Sequence, residues 1–99
     1  MINHVVLFKL KAYPAAEKQE KLNHLKRALL DLKGKIGQLK YIEVGTNFEL
    51  DSKSYDLCLL SHFENEADLD IYRVHPEHLK VLELVKEYTD LRAAVDYKF

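Results

Sequence analysis

The stretch INHVVLFKL, residues 2–10, decides the fold of this chain because it is apolar on both sides of a predicted strand. Its β-branched and aromatic residues favour extended structure. Successive side chains of a strand point to opposite faces, and here the even positions, such as Phe8, and the odd positions, such as Leu7, are both apolar. The stretch YDLCLLSHF, 55–63, repeats this pattern. Each of these two strands must therefore be covered on both faces.

The composition predicts one globular domain over residues 1–99 and excludes several classes of partner. The chain has 15 Lys and Arg against 16 Asp and Glu, a formal net charge of −1, so no basic excess indicates nucleic acid or a membrane surface as partner. No apolar run is long enough to cross a bilayer, and the first residues lack the features of a signal peptide. A single cysteine, Cys58, allows no intrachain disulfide and favours a cytoplasmic location.

The remaining elements follow from periodicity and from helix start and stop signals. Leucines at 22, 25, 29 and 32 predict an amphipathic helix that Gly34 closes. Asn65 is a predicted helix cap, and Pro76 begins a helix that runs to about Tyr88. The strands are predicted at 2–10, 39–48, 55–63 and 92–99. The order β-α-β-β-α-β is that of an α+β, ferredoxin-like fold, an antiparallel sheet with its helices on one side.

This architecture leaves one face of the sheet without helices. An antiparallel sheet with one solvated face should alternate apolar and polar residues, and the strands at 2–10 and 55–63 do not. An exposed surface this apolar is typical of an interaction site. The sequence therefore predicts a homodimer in which two sheets pack face to face or close into a barrel. The alternative is a monomer with a partly apolar face.

A candidate pocket lies where YRVHPEHLKVLEL, residues 72–84, begins its helix. His78 shares a helix face with apolar residues and should point toward the sheet, where His4 shares a strand face with further apolar residues. Tyr72 lies on the turn before this helix and can reach the same region. A neutral imidazole near a helix N-terminus can act as a base, so His78, Tyr72 and His4 are the candidate catalytic residues. Candidate ligand-binding residues are Val6, Phe8, Leu57, Leu59, His75, Val81 and Leu82.

Two other interpretations of these side chains remain open. His4, Tyr72 and His78 could form a buried hydrogen-bonded set that only fixes the helix against the sheet. His75 and His78 have the spacing of a metal-ligand pair, but no third ligand is evident, so neither a metal nor a cofactor is predicted. Cys58 is predicted to be buried and unreactive, and His62 to lie in the dimer interior.

Four stretches make the chain resemble the stress-responsive α/β-barrel domain family: INHVVLFKLK, LKGKIGQLKYIEVGTNF, YDLCLLSHFENEADLDIYRVHPEH and VDYKF. The resemblance covers nearly the whole chain and implies a dimeric α+β barrel. The family includes a plant polyketide cyclase, whose strand-1 histidine, tyrosine and helix histidine match His4, Tyr72 and His78. In that enzyme, the histidine acts as a base beside the tyrosine in an aldol ring closure. Where the cyclase has a further histidine on the third strand, this chain has Leu57.

Two functional hypotheses follow. In the first, a dimer binds a small, largely apolar molecule between helix and sheet, with His78-assisted proton transfer as in a cyclase or lyase. In the second, the protein is a structural or stress-associated dimer without catalysis. An open cavity of a few hundred cubic ångströms at His4, Tyr72 and His78 favours the first hypothesis, and close packing there favours the second.

Overall fold

Four strands and three helices make up the fold in a computed structural model that describes residues 1–51 and 53–99. A short 3₁₀ turn, Leu32–Gly34, follows the first helix. The elements in chain order are β1 (Ile2–Leu10), α1 (Ala15–Asp31), β2 (Tyr41–Thr46), β3 (Leu57–Phe63), α2 (Glu66–Val74), α3 (Pro76–Tyr88) and β4 (Thr89–Lys98).

The sheet has the strand order β2-β3-β1-β4, and all its neighbouring strands are antiparallel. The strand β1 lies inside the sheet, so both of its edges are hydrogen-bonded. Val6 pairs with Leu59 of β3 on one side and with Ala94 of β4 on the other. This order and the position of the helices confirm the predicted ferredoxin-like α+β fold.

The core lies between the helices and one face of the sheet. The even positions of β1 and the odd positions of β3 are buried there, while Leu22, Leu25 and Leu29 pack from α1. Burial of each large apolar side chain contributes about 1.5–3 kcal/mol to folding. The sheet residues of this core are Ile2, Val6, Phe8, Leu10, Val44, Leu57, Leu59 and Phe63.

Several predicted boundaries differ from the structure. The last strand begins at Thr89 and not at residue 92, because an irregularity between Lys9 and Leu10 lets Leu10 pair with Thr89. The helix α1 ends at Asp31, and Gly34 ends the 3₁₀ turn without a positive φ. The second and third strands are shorter than predicted, at Tyr41–Thr46 and Leu57–Phe63.

The start of α2 and the break before α3 lie where the sequence predicts them, and a side chain caps each helix. The side chain of Asn65 accepts a hydrogen bond from the Asp68 N–H at 2.9 Å and so caps α2. His75 is extended, with ψ of 135°, because it precedes Pro76, and it separates the two helices. Its Nδ1 accepts a hydrogen bond from the Glu77 N–H at 3.1 Å, so His75 caps α3.

The sheet surface without helices, here called the open face, is apolar on three of its four strands. Its Val95 is 61% exposed, whereas the central side chains around Leu60 are half-buried. On β2 the open face carries Glu43 and Gly45, so this strand is not apolar on both sides. The apolar members of the open face are Val5, Leu7, Cys58, Leu60, Leu91, Ala93, Val95 and Tyr97.

Two residues of the open face bear on sequence predictions. The sequence predicts that Cys58 is buried, but it is only half-buried. This partial burial raises the pKa of its thiol. The ring of His62 stacks on Tyr41 at 4.7 Å and lies 4.8 Å from the ring of Phe99, between centroids.

Within residues 1–51 and 53–99, no helix has the length and apolar character needed to span a bilayer.

A buried carboxylate ties β1 to the chain before β3 and to α1. Asp56 has no exposed surface. Its Oδ2 accepts a hydrogen bond from the Leu10 N–H at 2.9 Å, and its Oδ1 lies 3.5 Å from Lys9 Nζ and 3.3 Å from Lys18 Nζ. A buried charge is tolerated only when it is paired and hydrogen-bonded, and Asp56 has both kinds of partner.

We expect Asp56→Asn to lower the free energy of unfolding by about 3 kcal/mol, because it leaves two partly buried ammonium groups without a counter-charge. Urea titration at a fixed protein concentration measures the change. Asp70→Asn is the matched control, since its side chain is 71% exposed and its ion pair with Arg73 should contribute little. Equal effects of the two substitutions would contradict a stabilising role of Asp56.

Candidate functional site

A cavity of about 310 Å³ lies between α3 and the helix-facing side of β1 and β4. Apolar side chains make up most of its wall, and its polar groups come from four different elements. Its volume is at the lower end of the range of ligand pockets. The residues that line it are His4, Val6, Phe8, Leu29, Leu59, Tyr72, Arg73, His78, Val81, Leu82, Val85, Arg92, Ala94 and Asp96.

Most of the candidate residues meet at this cavity, and two do not. His4, Tyr72 and His78 all line it, together with Val6, Phe8, Leu59, Val81 and Leu82. Leu57 lies outside because it packs in the core beside β2, where it pairs with Thr46. His75 lies outside because it is the residue that caps α3.

Tyr72 is fully buried and its hydroxyl has no hydrogen-bond partner in the described part of the chain. Its ring lies 4.3 Å from the ring of His78 and 6.2 Å from that of His4, between centroids. Burial raises the pKa of Tyr72 to about 12, so the phenol is neutral and keeps its proton at pH 7. An unpaired buried hydroxyl costs about 1–3 kcal/mol, and a polar atom of a ligand would offset that cost.

The imidazole of His78 is held in one orientation by its own helix junction. Its Nδ1 donates a hydrogen bond to the carbonyl oxygen of Arg73 at 3.0 Å, which leaves Nε2 without a proton in the neutral ring. Burial lowers the pKa of His78, and the neighbouring charges of His4, Arg92 and Arg73 lower it further against the Arg73 hydrogen bond. His78 is therefore neutral at pH 7 and able to accept a proton.

His4 is oriented by a carboxylate from the neighbouring strand. Its Nδ1 is hydrogen-bonded to Asp96 Oδ1, and Asp96 Oδ2 accepts a hydrogen bond from the Arg73 guanidinium at 2.8 Å. A second guanidinium nitrogen of Arg73 donates to Asp70 at 3.0 Å. These hydrogen bonds connect β1, β4 and α2 in the wall of the cavity and hold the ring of His4 in place.

The sequence interpretation missed the polar groups of β4. Arg92, Ala94 and Asp96 line the cavity, because the apolar alternation of this strand faces the opposite side of the sheet. The register places Asp96 directly beside His4. The sequence did contain a signal for them, namely the alternation of apolar and polar residues along β4. If the apolar residues of β4 lie on the open face, its polar residues must point toward the helices.

The two histidines with metal-ligand spacing do not converge. His75 Nδ1 is occupied by the Glu77 N–H, and His78 Nδ1 is directed at the Arg73 carbonyl oxygen. Across residues 1–51 and 53–99, no three His, Cys, Asp or Glu side chains come together where a metal ion could bind.

The sequence of the whole chain matches a known family. The model of the Stress Responsive A/B Barrel Domain matches residues 2–99. The chain belongs to the stress-responsive A/B barrel domain family. This membership confirms the resemblance found in its four sequence stretches.

Solved structures share the fold of this family member. A dimeric protein of unknown function and ferredoxin-like fold from Bacteroides fragilis is 37% identical over 99% of this chain and 95% of its own, with a TM-score of 0.90. A dimeric ferredoxin-like protein of unknown function from Thermobifida fusca is 24% identical over 99% and 90%, with a TM-score of 0.81. A hydroxynitrile lyase from Passiflora edulis is 16% identical over 97% and 90%, with a TM-score of 0.81. No curated protein matches the chain.

We expect Tyr72→Phe to leave the free energy of unfolding within about 0.5 kcal/mol of the unsubstituted protein, or to raise it, because no hydrogen bond is lost. Urea titration provides the measurement. Tyr88→Phe is the matched control, since the Tyr88 hydroxyl is hydrogen-bonded to His24 Nδ1 at 2.8 Å and its loss should cost about 1 kcal/mol. A loss at Tyr72 as large as that at Tyr88 would support the interpretation of a closed hydrogen-bonded set.

Proposed function

We propose that this chain forms a homodimer through the open face of its sheet, as a dimeric α+β barrel. The proposal is supported by the apolar surface on β1, β3 and β4, which a second copy would remove from water. The proteins from Bacteroides fragilis and Thermobifida fusca, which share the fold, are described as dimeric. A self-complementary contact of this kind is the commonest route to a soluble dimer.

Val95→Glu places a charge on the apolar part of the open face, where Val95 of the edge strand β4 pairs with Val5 of β1. We expect the unsubstituted protein to sediment at twice its chain mass of 11.6 kDa, and the variant to sediment as a monomer at micromolar concentration. Val74→Glu, at a 70% exposed position of α2, is the matched control and should remain dimeric. Sedimentation of the unsubstituted protein as a monomer would refute the proposed dimer.

The proposed activity of this dimer is the binding of a small, largely apolar molecule in the cavity between sheet and helices. The observation that carries the proposal is the unpaired, buried hydroxyl of Tyr72 beside a cavity of about 310 Å³. If His4, Tyr72 and His78 served only to stabilise the fold, each polar group would be expected to have a protein partner. Here the hydroxyl of Tyr72 has no protein partner and remains available to a ligand.

The second candidate function is proton transfer to or from the bound molecule, with His78 as base, as in a cyclase or lyase. It is favoured by the hydrogen bond to the Arg73 carbonyl oxygen, which fixes the tautomer, and by burial, which lowers the pKa of His78. The neutral phenol of Tyr72 would donate a hydrogen bond to an oxygen on which charge develops. The lyase from Passiflora edulis resembles this chain in fold alone, at 16% identity.

A cytoplasmic location also belongs to this proposal. It is supported by the single cysteine of the chain, which would need no oxidising compartment for folding.

Thermal unfolding in the presence of a set of small metabolites tests ligand binding. We expect at least one largely apolar compound to raise Tm in proportion to the logarithm of its concentration, because it binds only the folded state. His78→Ala should reduce this shift, whereas His24→Ala, at an exposed position of α1 outside the cavity, should preserve it. Shifts that survive His78→Ala unchanged would remove His78 from the site, and no shift with any compound would favour a structural dimer.

A further inference from the structure

Two guanidinium groups line the cavity, and their surroundings differ. Arg73 donates hydrogen bonds to Asp70 and Asp96, at 3.0 and 2.8 Å, so its charge is compensated within the protein. Arg92 has no ion-pair or hydrogen-bond partner for its side chain among the residues that the structure describes. Arg92 is exposed and pairs with Phe8 of β1, so it stands at the mouth of the cavity with its charge available.

The charge of Arg92 reaches the interior of the same site. It is one of the neighbouring charges that lower the pKa of His78, after the larger effect of burial. Arg92 of β4 and His78 of α3 therefore line the same cavity and are close enough to interact electrostatically. Apart from its histidines, the lining contains two guanidinium groups and the single carboxylate of Asp96, so the cavity favours an anion.

We propose that the ligand of this cavity is a small apolar molecule with one carboxylate group, which Arg92 binds at the mouth while the apolar part contacts the interior. This inference rests on the proposed ligand-binding function and specifies its ligand class. A planar guanidinium matches the two oxygens of a carboxylate in a bidentate pair. A doubly charged phosphate would leave one charge uncompensated beside an apolar wall, which is unfavourable.

The test uses two matched probes, 3-phenylpropanoate and its neutral amide, which differ in charge and hardly in shape. Binding is followed by changes in the protein's two-dimensional NMR spectrum at pH 7. We expect the unsubstituted protein to bind the acid roughly fivefold more tightly than the amide, as an exposed ion pair can provide. Arg92→Gln should abolish this preference, and Arg92→Lys should retain part of it.

Arg27→Gln is the matched control, because it removes the same charge from an exposed position of α1 outside the cavity. It should keep the preference for the acid. Equal affinities of the unsubstituted protein for the two probes, or a preference that survives Arg92→Gln, would overturn the role of Arg92 and leave the proposed binding function intact. Binding of neither probe at millimolar concentration would count against both. A change of oligomeric state in Arg92→Gln would assign Arg92 to the dimer contact and also overturn the inference.

Discussion

The pairing of β1 between β3 and β4 is the constraint on which the rest of the structure depends. This pairing gives the backbone of β1, which is apolar on both faces, hydrogen-bond partners along both edges, and it places the even side chains of β1 under the helices. Because side chains alternate along a strand, the same pairing sends Val5 and Leu7 to the opposite side. The apolar open face is thus a direct consequence of how the core is built.

The candidate site depends on the same strand and on one break in the helical layer. His4 lies on β1 and faces the helices, where Asp96 of the adjacent strand holds its ring. The extended conformation of His75 ends α2 and starts α3, so the rings of Tyr72 and His78 come within 4.3 Å although they belong to different helices. The arrangement leaves a buried hydroxyl unpaired, which lowers stability locally and is typical of a functional site.

The strand β4 has two roles, because its successive side chains lie on opposite faces of the sheet. One set of its side chains, including Val95, extends the open face, and the other set supplies Arg92 and Asp96 to the cavity. Because Ala94 between them is small, space remains between the strand and α3. A proposed dimer contact and a proposed ligand site therefore lie on opposite sides of one strand, and a substitution on one side need not disturb the other.

The sequence by itself determined the order of the elements, the ferredoxin-like fold and the junction at His75 and Pro76. It also predicted that His4, Tyr72 and His78 share one region between helix and sheet. These follow from local periodicity, capping and turn preferences, which act over a few residues. Only the tertiary structure decided that Leu57 packs beside β2, and that Asp96 lies beside His4 and Arg92 beside Phe8 at the cavity. Those outcomes depend on the register between paired strands, and no local preference specifies such a register.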